Sequence, residues 1–195
     1  MADLDSVGVV ILAAGSSRRL GRPKQLLDLD GKPLLQHVVD VAGAAGVGDL
    51  VVVLGHVADE VMGVIKLPPI ARFVVNLDHV TGQASSLRAG LDALGPGIDR
   101  AVIMLGDQPR IAVEAIRDVA VGPGPIRRTR YREAPGHPIA FDRVLWDRLM
   151  AIEGDRGARE LIAIHPDLIH DVIRDAPIPK DVDTSDDATE IGASG

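Results

Sequence analysis

The stretch Val9-Val10-Ile11-Leu12-Ala13-Ala14-Gly15-Ser16-Ser17-Arg18-Arg19-Leu20-Gly21-Arg22-Pro23-Lys24 runs an apolar strand straight into a small, hydroxyl-bearing, basic loop. Ala14 and Gly15 let backbone approach a ligand, and turn N–H groups can converge on anionic oxygens. Arg18, Arg19, Arg22 and Lys24 supply the charge. In a chain of net charge -7 this local basic patch at the end of a strand marks a phosphate-binding loop rather than an ordinary solvated surface. Spacing excludes two common phosphate motifs. Lys24 follows Pro23 and precedes Gln25, unlike a P-loop lysine, and the glycine triplet of the dinucleotide fingerprint is missing.

Working outward, short aliphatic runs at Val7 to Ala13, Leu50 to Leu54, Arg72 to Val75, Ala101 to Leu105, Ile126 to Tyr131 and Pro138 to Phe141 predict strands. Between them, Leu34 to Ala45, Val57 to Ile65, Gln83 to Leu94, Ile111 to Val119, Arg143 to Ala151 and Ala158 to Ile164 carry helical periodicity. The order predicts an α/β single-domain three-layer sandwich with a mostly parallel, Rossmann-like sheet, and ligands at the carboxyl ends of its strands. No repeat or interdomain linker interrupts residues 1–195. Gly122-Pro123-Gly124-Pro125 is a rigid turn, and residues 186–195 are expected to fray.

The 195 residues are 46% hydrophobic but 2% aromatic, so the core is aliphatic. The acidic balance argues against nucleic acid as a partner. The absence of cysteine removes disulfides, thiolate metal sites and thiol nucleophiles, and the six histidines lack paired metal-ligand spacing. No apolar run is long enough to span a membrane, and the acidic Met1-Ala2-Asp3-Leu4-Asp5 is unlike a signal peptide, so the expectation is a cytoplasmic protein.

Several residues can carry chemistry. Ala101-Val102-Ile103-Met104-Leu105 is a central parallel strand whose end delivers Asp107 to the ligand edge, where it either holds a metal against phosphates or caps the helix expected near Ile111. Asp183 lies in an acidic stretch near the end of the chain, where by itself it reads as a helix cap. The start of the helix at Gln83 presents free N–H groups, Gln83, Ser85 and Ser86, suited to a base edge or ribose, with capping by Thr81 or Ser85 the plainer alternative. Alternation puts Arg128, Arg130 and Arg132 on one face, either to hold an anionic acceptor or to guard a strand edge. His137 follows this strand directly and by itself reads as capping a turn.

The opening run resembles the signature L-A-A-G-x-S-x-R-x-G-x-x-K of the molybdenum cofactor nucleotidyltransferases, within the larger nucleotide-diphospho-sugar transferase type. Leu12, Ala13, Ala14, Gly15, Ser17, Arg19, Gly21 and Lys24 match it. Asn76-Leu77-Asp78, Gly82-Gln83-Ala84-Ser85-Ser86-Leu87-Arg88-Ala89-Gly90-Leu91, Gly106-Asp107-Gln108-Pro109, Gly136-His137-Pro138, Gly154-Asp155-Arg156-Gly157-Ala158-Arg159 and Asp181-Val182-Asp183-Thr184 resemble that family's further blocks, in its order. Leu20 stands where Met is common, and Ser185-Asp186-Asp187 replaces the usual Pro-Glu-Asp.

The resemblance implies a single nucleotidyltransferase domain that moves CMP from CTP to the terminal phosphate of molybdenum-molybdopterin, releasing pyrophosphate. It implies Mg²⁺ on Asp107 and Asp183, and Arg19, Lys24 and Asp107 as catalytic residues. Leu12, Ala13, Ala14, Gly15, Ser17, Arg19, Lys24, Gln83, Ser86 and Asp107 would bind the nucleotide, and Arg128, Arg130 and His137 the acceptor. The choice of cytosine rests on Ala14, where guanylyl-transferring relatives more often carry glycine. GTP as donor, another phosphorylated acceptor, and a non-catalytic protein that hands finished cofactor to a molybdenum hydroxylase apoenzyme are the alternatives.

Overall fold

The computed structural model describes residues 3–15, 17 and 20–194. In chain order its elements are β1 (Val7–Ala13), β2 (Asp28–Leu29), β3 (Lys32–Pro33), α1 (Leu34–Ala44), β4 (Asp49–Leu54), α2 (Ala58–Val64), β5 (Ala71–Val75), α3 (Gln83–Ala93), β6 (Arg100–Leu105), α4 (Val113–Val121), β7 (Ile126–Arg130), β8 (Pro135–Asp142), α5 (Trp146–Met150), α6 (Arg159–Ile164), β9 (Ile169–Ile173), α7 (Ser185–Glu190) and β10 (Ala193–Ser194). A seven-stranded sheet has the order β5-β4-β1-β6-β8-β7-β9, and β8 alone runs against the others.

The two helical layers follow from the period of two along β1. Val7, Val9, Ile11 and Ala13 join the core beneath α1, α2 and α4, while Val10 joins Ala84, Leu87 and Leu91 of α3 and Trp146 and Leu149 of α5 on the other face. Gly90 is required where α3 crosses the sheet, because a Cβ there would lie 2.3 Å from Val10 Cγ1. That close approach sets the N-terminus of α3 at the carboxyl ends of β1 and β6, beside the basic loop.

Residues 186–194, for which the sequence predicts fraying, hold most of α7 and all of β10. Thr184 and Asp187 form a capping box at the start of α7, Ala188 packs with Leu27, Leu34 and Val182, and β10 pairs with β2 in a small three-stranded sheet with β3. The strand carrying Arg128 is no edge, since β9 pairs along it. Ile169-His170-Asp171-Val172-Ile173 is half-exposed and lacks the apolar run by which the other strands are recognised. Residues 143–151 divide into a 3-10 turn and the short α5, and α4 starts at Val113 with Ala112 as its N-cap and no side-chain cap.

Candidate active site

The carboxyl ends of β1 and β6 and the start of α3 enclose a cavity of about 470 Å³. Its wall includes Leu12, Ala13, Ala14, Gly15, Lys24, Gln83, Ser86 and Asp107, all assigned to the site from the sequence, Asp155, quoted there only within a resembling block, and Gln25, His79 and Val80, which had no assigned role. Ser17 stands behind the wall, where its hydroxyl accepts the Lys24 backbone N–H at 3.0 Å and it adopts a left-handed φ of 50°. Arg19 lies outside the described residues.

The loop is braced from within. Buried Gln25 donates Nε2 to the carbonyls of Ala13 and Gly15, at 2.7 and 3.1 Å, tying the end of β1 to the segment that carries Lys24. The sequence signal was present, since Gln25 follows Lys24 within the basic run, but a glutamine acting on backbone carbonyls has no spacing signature. Buried Asn76 plays the matching part on the other wall by donating to Ser85 Oγ at 2.8 Å and Ser86 Oγ at 3.0 Å. Ser86, in the cavity wall, thereby accepts a hydrogen bond from Asn76. Ser85 instead donates to the Gly82 carbonyl, so neither it nor Thr81 caps α3, whose N-cap is Gly82. Gly82 has φ of 119°, and a Cβ there would stand 2.4 Å from the Gly154 carbonyl carbon; only glycine lets the 154–156 turn close the cavity over the start of α3.

The charged centre comes from three distant segments. Lys24 Nζ donates to Asp107 Oδ2 at 2.5 Å and to Asp183 Oδ1 at 2.8 Å. The connection after β9 reaches the site because the Val182 N–H donates to the Asp107 carbonyl and its side chain is fully buried, while Gln108 donates to Asp181. Burial pushes the Asp107 carboxyl above the ordinary carboxylate range, more than the Lys24 ammonium pulls it down, and Asp181 and Asp183 add to the rise. Burial alone would lower Lys24, but the two carboxylates hold its ammonium above its usual value, so Lys24 stays charged.

Asp107 caps no helix. Its Oδ2 is on Lys24, and its Oδ1 is buried without a hydrogen-bond partner among the described residues. A buried carboxylate oxygen left free, beside the half-exposed Asp183, fits a hard divalent cation whose shell is completed by phosphate oxygens and water. Among the described residues no group of three or more histidines and carboxylates is placed to hold a metal by itself.

The acceptor candidates are not brought together equally. Arg128 donates to both oxygens of Asp171, at 2.8 and 3.2 Å, and Arg130 lies 3.6 Å from the same carboxylate, so the basic face of β7 is largely satisfied by β9. His137 sits between the first cavity and a second one lined also by Arg128. Burial, helped by nearby Arg159, lowers its pKa to about 4 and keeps the ring neutral.

Residues 9–171 match the family described as the MobA-like NTP transferase domain. A relative named nicotine blue oxidoreductase, from Paenarthrobacter nicotinovorans, is 35% identical over 93% of this chain and 94% of its own. Among solved structures, the homologue of Mycobacterium tuberculosis Rv0371c from Mycobacterium sp. strain JC1 superimposes with a TM-score of 0.87 at 35% identity, covering 96% of this chain and 95% of its own. Rv0371c of M. tuberculosis in complex with manganese gives 0.82 at 33% identity, over 95% and 96% of the two chains.

Proposed function

Since this chain belongs to the MobA-like NTP transferase family, a family of nucleotidyltransferases, we propose that it transfers CMP from CTP to the terminal phosphate of a molybdopterin-type cofactor and releases pyrophosphate. One observation carries the reading: a lysine held between two carboxylates, in the wall of a cavity whose other sides are a glycine loop and a helix start.

In this reading the backbone of Ala13, Ala14 and Gly15, fixed by Gln25, shapes the nucleotide's seat. Leu12 packs against the base, and Gln83 and Ser86 supply the polar contacts that select it. Ala14 in place of glycine favours cytosine over guanine, so GTP is the alternative donor. Asp107 and Asp183 hold Mg²⁺; the manganese in the Rv0371c structure supports a divalent cation in the family. Bound there, such a cation supplies charge neutralisation on the phosphates. Lys24, drawn from its carboxylates toward phosphate oxygens, stabilises charge as pyrophosphate departs, and Arg19 is assigned the same task. A phosphate acceptor is already nucleophilic, so positioning and charge compensation suffice. We place the protein in the cytoplasm, with a molybdenum hydroxylase apoenzyme as the recipient of its product.

Incubating the protein with CTP, molybdopterin and Mg²⁺ tests this. Pyrophosphate release that needs all three is expected, with CTP giving the largest thermal stabilisation of the four nucleoside triphosphates. Cofactor binding without pyrophosphate release would establish the carrier alternative, and a clear preference for GTP the guanylyl one. The name of the P. nicotinovorans relative motivates a second reading, hydride transfer to a nicotine-derived dye. Oxidation of a reduced nicotinamide cofactor in the presence of nicotine blue, with no pyrophosphate from CTP, would replace the first reading by the second.

A further inference from the structure

Beside the nucleotide cavity lies a second one, of about 510 Å³, between β8, α6 and the start of β9. Its walls are mainly apolar, with Pro135, Ile139, Ile162, Ala163, Pro166 and Ile169, and its polar side chains are Arg128, His137 and Arg159. A constriction of about 20 Å³ shares Leu12 and Gln83 with the first cavity and His137, Ile139 and Arg159 with the second. The segment 154–159 touches both, placing Asp155 in the first wall and Arg159, four residues on, in the second.

The charges in this second wall are unequal. Arg128 is committed to Asp171 through two hydrogen bonds, and His137 is neutral. Arg159 is exposed and makes no hydrogen bond or ion pair with the described residues, so its five donors and its charge face the constriction uncompensated. A planar guanidinium without a partner, at the mouth of an apolar cavity that adjoins a nucleotide seat, matches a phosphate monoester whose carbon body is largely apolar.

We propose that Arg159 binds the phosphate of the acceptor and that the second cavity holds the acceptor's body, so that Arg128 and Arg130 serve the fold rather than the substrate. The proposal rests on the nucleotidyl-transfer reading for calling this ligand the acceptor, but its site can be tested separately. His137 contributes a neutral hydrogen-bonding ring beside the phosphate, and Asp155 keeps that anion on the Arg159 side by repulsion.

The probe is 4-methylumbelliferyl phosphate, an apolar phosphate monoester without a nucleobase, with 4-methylumbelliferone as its phosphate-free counterpart, each titrated by fluorescence with CTP present and divalent cation absent. The phosphate probe should bind the parent saturably and more tightly than the phenol. Arg159→Ala should weaken the phosphate probe about tenfold or more, as expected for a lost charge-assisted hydrogen bond, while leaving the phenol and CTP unaffected. Arg159→Lys should recover part of the loss. No saturable binding of the phosphate probe to the parent, or equal losses for probe and phenol, would overturn the proposal. In the transfer assay Arg159→Ala should raise KM for molybdopterin more than KM for CTP. Arg159-dependent probe binding without transfer to molybdopterin would leave the site standing and remove only the acceptor's identity; transfer indifferent to Arg159 would remove the site and leave the function.

Discussion

Replacing Lys24 by alanine should cost stability as well as catalysis, and the stability loss should depend on pH in a direction set by the geometry. Through an effective dielectric constant of about 20, the contacts of 2.5 Å to Asp107 and 2.8 Å to Asp183 correspond to roughly 6 to 7 kcal/mol of gross attraction each. Most of that offsets desolvation, and breaking a buried pair typically costs about 3–5 kcal/mol. Asp183 is half-exposed and water screens it, and Asp107 can take up a proton, so the lower end applies, about 3 kcal/mol at neutral pH. For a chain of this size that is a fall in Tm of about 6–12 °C.

Removing the ammonium also deletes the groups that lower the Asp107 pKa, so that pKa climbs further in the variant. An acid whose folded pKa is raised is stabilising when protonated and loses that contribution as pH rises through the folded value. The gap between parent and variant should therefore narrow as the pH is lowered from 7 toward acid. The Lys24 contribution itself, with its folded pKa above the ordinary 10.5, is present below that value and disappears only at strongly alkaline pH. Differential scanning calorimetry across this range measures the gap, and Lys24→Ala combined with Asp107→Asn should be more stable than Lys24→Ala alone. A Tm loss of less than about 2 °C, or a loss that does not change with pH, would refute the reasoning.

Asp107→Asn retains an oxygen for Lys24 but removes the carboxylate, so divalent-cation-dependent pyrophosphate release should fall by on the order of a hundredfold or more, while Tm falls by less than in Lys24→Ala because Asp183 still faces the ammonium; activity near that of the parent excludes the metal role. His137, held neutral down to about pH 4 against an ordinary 6.5, gives the folded state fewer bound protons across that window. Stability should drop as pH falls through it, by at most about 3 kcal/mol since the ring keeps some exposure, and His137→Gln should flatten that limb of a urea-unfolding series. An unchanged slope in the variant would show that other groups carry it.

The alternation of aliphatic runs and helical periods determined the layered sheet without further help, because burial on both faces of a parallel strand leaves a continuous apolar signature, as in Ala101 to Leu105. Local sequence likewise drew attention to Ala13, Ala14, Gly15, Lys24 and the start of α3, which line the cavity, since glycine and small residues at strand ends act over a few positions. Only the tertiary structure could decide what the charges do. Asp183 reaches Lys24 across 159 residues because Val182 is buried against Leu27 and Leu34 and bonds to the Asp107 carbonyl, a long-range docking that no periodicity records. Arg128 and Arg130 looked free in the chain and share Asp171, on a strand whose half-exposed pattern hid it, while Arg159 makes no hydrogen bond or ion pair with the described residues. Charge compensation is a property of neighbours in space, so which cation remains available to a ligand is settled by packing rather than by order along the chain.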